Sequence, residues 1–209
     1  MKTITEICIF RDTFANTKLS NEELFDKVAH FVVPNFKITD ENKNFFEQLK
    51  CYFNNEKGFE GDLERGLLVL GGFGVGKTAA MEICSIYSLI KQNNKYFALY
   101  DSDTIIDRFS NNGRVSIREF DNWGDICIDE LGEDTGKHIY YGSPDDPVEV
   151  LISRRYNQFK SNGFRLHGIS NLDVNMLQNR FSPKIYDRMC EMFNLLVLEG
   201  SSWRRKFTL

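Results

Sequence analysis

Two hydrophobic rhythms divide the chain. Up to about residue 60 the apolar positions recur at helical spacing; beyond Gly66 they gather into short unbroken runs. The stretch NEELFDKVAHFV (21–32) is amphipathic, and Ser20 followed three residues later by Glu23 is a capping-box signature that opens it. Val33-Pro34 breaks that run, and Thr39 or Asp40 is placed to cap a second, ENKNFFEQLKCYF (41–53). The polar, glycine-containing NNEKGFEGDLERG then leads into the rest. The expected division is a helical extension over residues 1–60 and a single core over 61–209.

From Gly66 onward, strand and helix patterns alternate, which predicts an α/β fold with a parallel sheet covered on both faces. GLLVLGG (66–72) reads as a buried strand and TAAMEICSIYSLIKQ (78–92) as a helix apolar nearly all round. KYFALYD (95–101) is the second strand, DSDTIIDRF a helix and DICIDEL (125–131) the third strand. A long loop, GEDTGKHIYYGSPDD (132–146), precedes a helix that starts at Pro147 with Asp146 as cap. FRLHGISNL (164–172) is the fourth strand, PKIYDRMCEMF (183–193) a helix opened by Ser182 and Pro183, and NLLVLEG (194–200) the fifth strand.

Length and composition fit this picture. The chain has 209 residues, enough for one sizeable α/β domain, and its 42% hydrophobic and 27% charged residues are ordinary for a globular protein. No apolar stretch approaches the ~20 residues that span a bilayer, and MKTITEICIFRDTF has neither a long apolar core nor a small-residue cleavage site, so no secretory signal is expected. Five scattered cysteines (8, 51, 84, 127 and 190), never paired as C-x-x-C, suggest neither zinc nor disulfides and fit a reducing cytoplasm. His30, His138 and His167 lack metal-ligand spacing, and His167 is expected to pack within its strand. A formal charge of −4 argues against a strongly basic nucleic-acid binder.

The first bend carries the chemistry. Gly71-Gly72-Phe73-Gly74-Val75-Gly76-Lys77-Thr78 fits the phosphate-cradling pattern G-x-x-x-x-G-K-[S/T], with strand before it and the helix that opens at Thr78-Ala79 after it, Ala79 being included in the expected nucleotide-binding stretch. The glycines allow backbone N–H groups to close on phosphate oxygens, and the helix N-terminus adds partial positive charge. Lys77 is expected to reach the β- and γ-phosphates and Thr78 to ligate Mg²⁺. The third strand brings Asp129 to its C-terminal end, where ligands of open α/β sheets bind, as a second Mg²⁺ ligand. Glu130, next to it, is expected to polarise the attacking water; the competing reading is a solvent-facing acidic strand end, since Glu133 and Asp134 follow. Asn171, ending the fourth strand, is either a turn-forming asparagine or a sensor of the γ-phosphate.

These motifs, with a later D-R-M before the fifth strand, resemble the AAA+ ATPases. CIDELGED, VLISRRYNQF, HGISNL, IYDRMCEMF and EGSSWR resemble successive blocks of the DnaC/DnaI-type helicase loaders and IstB-type transposition helpers, from about Gly66 to Arg204. The resemblance implies ATP and Mg²⁺ as cofactors and slow hydrolysis. It also implies ATP-driven self-association, Arg188 acting on a neighbouring subunit's ATP, and a replicative helicase or a transposase as partner. It places residues 34–38 around the base and Arg155 near a subunit or nucleic-acid surface; a solvated basic face is the rival reading of Arg154 and Arg155. Only nine residues follow Gly200, so the helical lid typical of AAA+ proteins is expected to be missing. For Arg188, the alternative is an intrahelical pair with Glu191. Weak, salt-sensitive binding of single-stranded DNA is expected from local cations such as Arg154, Arg155 and the Arg204-Arg205-Lys206 tail. The loop residues Lys137, His138, Tyr140 and Tyr141 offer a stacking surface, although a plain surface loop is the preferred reading there. The rival functions are a small-molecule phosphotransferase and a scaffold that binds ATP without hydrolysing it.

Overall fold

A computed structural model describes residues 1–14, 17–122, 124–134, 136–140 and 143–203. Tyr141 and the Arg204-Arg205-Lys206 tail lie outside the described residues. The backbone runs α1 (Ile4–Asp12), α2 (Asn21–Val32), α3 (Lys43–Asn54), β1 (Gly66–Leu70), α4 (Lys77–Lys91) and β2 (Phe97–Asp101). It continues through α5 (Ser102–Asn112), the short α6 (Arg114–Ile117), a 3₁₀ turn (Arg118–Asn122) and β3 (Asp125–Asp129). Then come β4 (His138–Tyr140), β5 (Ser143–Asp145), α7 (Pro147–Asn162), β6 (Leu166–Ser170), α8 (Val174–Arg180), α9 (Pro183–Met192) and β7 (Phe193–Val197).

The five expected strands form one sheet in the order β2-β3-β6-β1-β7, every pairing parallel. Alternation along β1 sorts the core into two layers. Leu67 and Val69 face α2, α3 and α4; Leu68 and Leu70 face α5, α7 and α9. His167 sits fully buried in β6 against Phe97, ring centroids 4.6 Å apart, and its Nδ1 accepts the Leu67 N–H. Burial holds its pKa well below the ordinary histidine value, so it is a neutral core residue. No helical bundle follows β7 among the described residues.

Residues 1–60 do not stand off from the core. Val28, Ala29, Leu49, Tyr52 and Phe53 are fully buried within the same layer as Leu67 and Val69. Phe25 meets Tyr87 of α4 edge-on at 5.6 Å, and the Tyr87 hydroxyl donates to Asn54 at the end of α3.

Besides the short α6 and the 3₁₀ turn, three features were not anticipated. α1 has its own capping box, in which Thr3 and Glu6 satisfy each other's backbone N–H groups; the T-x-x-E signal is visible in the sequence. α8 is capped by Asp173. The long loop after β3 holds the small antiparallel hairpin β4-β5, so it is not a plain loop. Arg180, at the end of α8, bridges Asp134 and Asp146 with 2.6 Å ion pairs and thereby closes the base of this excursion.

The two arginines of α7 part company. Arg154 is paired with Asp121. Arg155 is fully buried and donates to the carbonyls of Phe120, Gly124 and Arg165. The expectation of a subunit- or nucleic-acid-facing Arg155, and equally that of a solvated one, is therefore corrected. Its aliphatic stem and planar head close the bottom of the β3–β6 pair, and desolvation lowers its pKa to about 10. Arg155→Ala is expected to cost about 3–5 kcal/mol of stability, the range for breaking a buried charged network. Urea denaturation would measure it, and a loss below about 1 kcal/mol would contradict a structural role.

Candidate nucleotide site

The phosphate-loop pattern folds as the sequence requires. β1 runs into the turn, Gly76 caps α4 with φ 102°, and Lys77 is the helix's first residue. A Cβ at Gly76 would meet nothing within 4 Å, so the requirement for glycine there is conformational rather than steric. Phe73 stands exposed at the loop tip.

Lys77 is almost buried, and its ammonium donates to the Gly71 and Gly72 carbonyls at 2.8 Å and to Asn171 Oδ1 at 2.5 Å. Because β6 lies between β3 and β1, the Asn171 amide stands between the third strand's carboxylates and the phosphate loop. The sequence placed these two residues in one site, and the structure brings them into contact.

Asp129 and Thr78 also meet: the Thr78 hydroxyl donates to the Asp129 carboxylate, which the Glu130 N–H also reaches at 2.9 Å. Burial nevertheless raises the Asp129 pKa above the ordinary aspartate value, against the opposing pull of these donors and of Lys77. A carboxylate and a hydroxyl side by side at a helix N-terminus form a hard oxygen pair. That donor set fits a Mg²⁺ that keeps several waters and takes its other ligands from phosphates.

Glu130 occupies the left-handed region with φ 57°, a conformation that costs a non-glycine residue about 1–2 kcal/mol. Neighbours hold it there. Ser102 donates to the carbonyls of both Asp129 and Glu130, and the Leu131 N–H bonds Ile169 O of β6 at 2.8 Å. The turn leaves the Glu130 side chain exposed beside Glu133, Asp129, Asp103 and Asp101. Desolvation and then these charges raise its pKa, which suits a group asked to accept a proton.

Glu133 was not among the expected site residues. Its carboxylate accepts from the Asn171 backbone N–H at 2.9 Å and from Asn171 Nδ2 at 2.8 and 2.9 Å. In sequence it reads as one more acid after a strand; nothing local announces a partner 38 residues away.

Beside Gly76 and Ala79 of α4 an apolar slot of about 360 Å³ opens, walled by Phe36, Phe46, Ile83 and Trp203. Asn35, Phe36 and Lys37 line it, so the segment expected around the base does border the phosphate loop. Trp203 was not anticipated there. Its backbone N–H donates to Gly74 O at 2.9 Å, which ties the chain after β7 to the loop itself.

Arg188 lies elsewhere, on α9. It donates to Ser153 Oγ at 2.5 Å and stacks over the Tyr156 ring at 4.8 Å. Glu191 is engaged by Lys160 and by the Tyr156 hydroxyl, so the intrahelical Arg188–Glu191 pair is not formed. Arg188, Arg114, Arg118, Arg154 and Lys184 line a groove of about 530 Å³, and none of residues 71–79 contributes to it.

No protein-family model matches the chain, and no curated protein matches it in sequence. Solved structures do match in fold. The crystal structure of DnaI aligns with a TM-score of 0.61 at 14% identity, over 84% of this chain and 93% of that one. The DnaC helicase loader aligns at 0.58 and 17% identity, over 80% of this chain and 96% of that one. AMPPCP-bound DnaA from Aquifex aeolicus aligns at 0.59 and 14% identity, over 81% of this chain. The chain spans about half the length of DnaA, 50% of it being covered. Strand order, phosphate loop and these neighbours together give the chain a phosphate-loop α/β fold with a five-stranded parallel sheet, the fold of the solved DnaI and DnaC helicase-loader structures.

Proposed function

We propose that this protein is an ATP-dependent switch acting in DNA replication on a replicative helicase. The observation that carries the reading is the joining of Lys77, Asn171, Thr78 and Asp129 at the ends of three adjacent strands, on a fold shared with helicase loaders. Residues 71–79 would cradle the phosphates of ATP, and Thr78 with Asp129 would hold Mg²⁺, which neutralises phosphate charge when bound. Glu130 would draw the proton from an attacking water, and Asn171 would report the γ-phosphate. The AMPPCP found in DnaA supports a nucleoside triphosphate as ligand. Hydrolysis, self-association, cytoplasmic residence and weak single-stranded DNA binding belong to the proposal. With Arg155 buried and Arg154 paired, any DNA contact falls to other cations, such as Arg118 and Lys184 of the groove.

Two measurements test it. With radiolabelled ATP, free phosphate as the sole labelled product supports the switch, and label on an acceptor supports a phosphotransferase. Capture from the native host with a non-hydrolysable ATP analogue should retain a replicative helicase; a transposase in its place would redirect the reading.

The slot beside α4 would take the base, with Trp203 as its stacking wall. Nucleotide binding is then expected to change tryptophan emission. Trp203→Ala should abolish that change and weaken ATP and ADP alike by about 5- to 30-fold, the worth of one stacked base at ~1–2 kcal/mol. An undiminished signal from the variant, which keeps Trp123, would remove Trp203 from the slot.

A further inference from the structure

Resting on the reading of Asn171 as the group that meets a third phosphate, the bonding of its amide carries a step further. Ionised phosphate oxygens accept hydrogen bonds, so of the two polar atoms of the Asn171 side-chain amide only Nδ2 can bond a γ-phosphate. In the structure that donor is committed to both carboxylate oxygens of Glu133, while Oδ1 faces the Lys77 ammonium. The Asn171 backbone N–H adds a third bond to the same carboxylate.

Glu133 is not a loose surface acid. It follows Gly132, whose φ of 83° turns the chain. The residue before that, Leu131, is stitched to β6 by its N–H to Ile169 O and by its carbonyl, which accepts from Ser170 Oγ at 2.7 Å. The carboxylate is therefore delivered to Asn171 by the same pair of strands that delivers Asp129. A fixed anion and an incoming γ-phosphate are two acceptors for one donor. We propose that Glu133 is a positioning residue that keeps the Asn171 donor engaged until a third phosphate competes for it. ATP then binds against the Glu133–Asn171 bonds, whereas ADP, lacking the γ-phosphate, leaves them intact. The pocket's preference for ATP over ADP is thus set below its limit by Glu133.

The test compares dissociation constants for ADP and a non-hydrolysable ATP analogue, by calorimetry, in wild type, Glu133→Gln, Glu133→Ala, Asn171→Ala and the double variant. Glu133→Ala is expected to tighten the analogue by about 5- to 30-fold, the equivalent of one or two typical net hydrogen bonds. ADP affinity should stay within about twofold. Glu133→Gln, which keeps one acceptor oxygen, should give a smaller gain in the same direction. In the Asn171→Ala background, removing Glu133 should leave the analogue-to-ADP ratio unchanged. Equal shifts for both nucleotides, or an undiminished gain without Asn171, would overturn the inference, since either would make Glu133 a distant charge only. Wild-type protein that binds neither nucleotide would overturn the nucleotide reading and this inference with it. Normal wild-type binding with an unaltered ratio in all variants overturns this inference alone.

Discussion

Lys77→Met should bind ATP at least ~100-fold more weakly than the wild type, whereas Glu130→Gln should bind it normally and turn it over ~10²–10⁴-fold more slowly. The difference follows from when each side chain acts. The Lys77 ammonium sits inside the loop, on the Gly71 and Gly72 carbonyls, and is the cationic side chain of the loop itself, in place for the phosphates in the ground state. Glu130 makes no side-chain hydrogen bond among the described residues and would act only on the water that becomes the nucleophile; an interaction confined to the transition state affects turnover and not affinity. Methionine is preferred to alanine at position 77 because it keeps the stem packed. It also separates the loss of charge from a collapse of the loop. Fluorescent-nucleotide titration and phosphate release, run on the same preparations, measure both effects. Equal loss of binding in the two variants would remove Glu130 from its role.

Arg188→Ala should leave ATP binding to the isolated subunit unchanged while weakening ATP-induced assembly and lowering stimulated hydrolysis by ~10³-fold or more, the scale of an arginine supplied in trans. The proposed target is a neighbour's nucleotide, because this chain's own phosphate loop lies elsewhere. Arg188 is presented by Ser153 and the Tyr156 face in a groove to which the protein's own phosphate loop contributes nothing. Its other use, a surface pair with Glu191, is taken by Lys160 and Tyr156, and would contribute only ~0.2–0.5 kcal/mol. Mixing Arg188→Ala with Lys77→Met should restore part of the activity, because an intact loop then meets an intact arginine. If both variants associate and the mixture stays inactive, Arg188 does not act across the boundary.

The parts of this site that were legible from sequence are those written locally. The glycine-lysine-threonine bend, the acidic end of DICIDE and the strand-terminal Asn171 each sit within a few residues of the pattern that reveals them. Parallel alternation then implies that their strand ends share one edge. The remainder depends on distant partners. Glu133 gains its meaning from Asn171, and Trp203 from Gly74. Arg155 looks like half of a basic pair until the carbonyls of Phe120, Gly124 and Arg165 close around it. Helical geometry says that two consecutive arginines cannot both face the same way, so at most one of them is buried. It could not say which, because burial of a guanidinium depends on acceptors from three separate segments. The β4-β5 hairpin escaped for another reason: its strands are three residues each, too short for alternation to register.

The N-terminal helices have a mechanical consequence for any partner that grips them. α4 starts at Lys77 and, one face along, carries Tyr87 and Lys91, which are bonded to Asn54 of α3, while Phe25 of α2 lies against Tyr87. A force applied to α2 or α3 is therefore applied to a rigid rod whose far tip is the phosphate loop. A rotation of a few degrees at the Tyr87 end would shift Lys77 against Asn171 by a fraction of an ångström, enough to lengthen a 2.5 Å contact. One helix thus joins the packing of the N-terminal segment to the phosphate loop, and strain at either end is felt at the other.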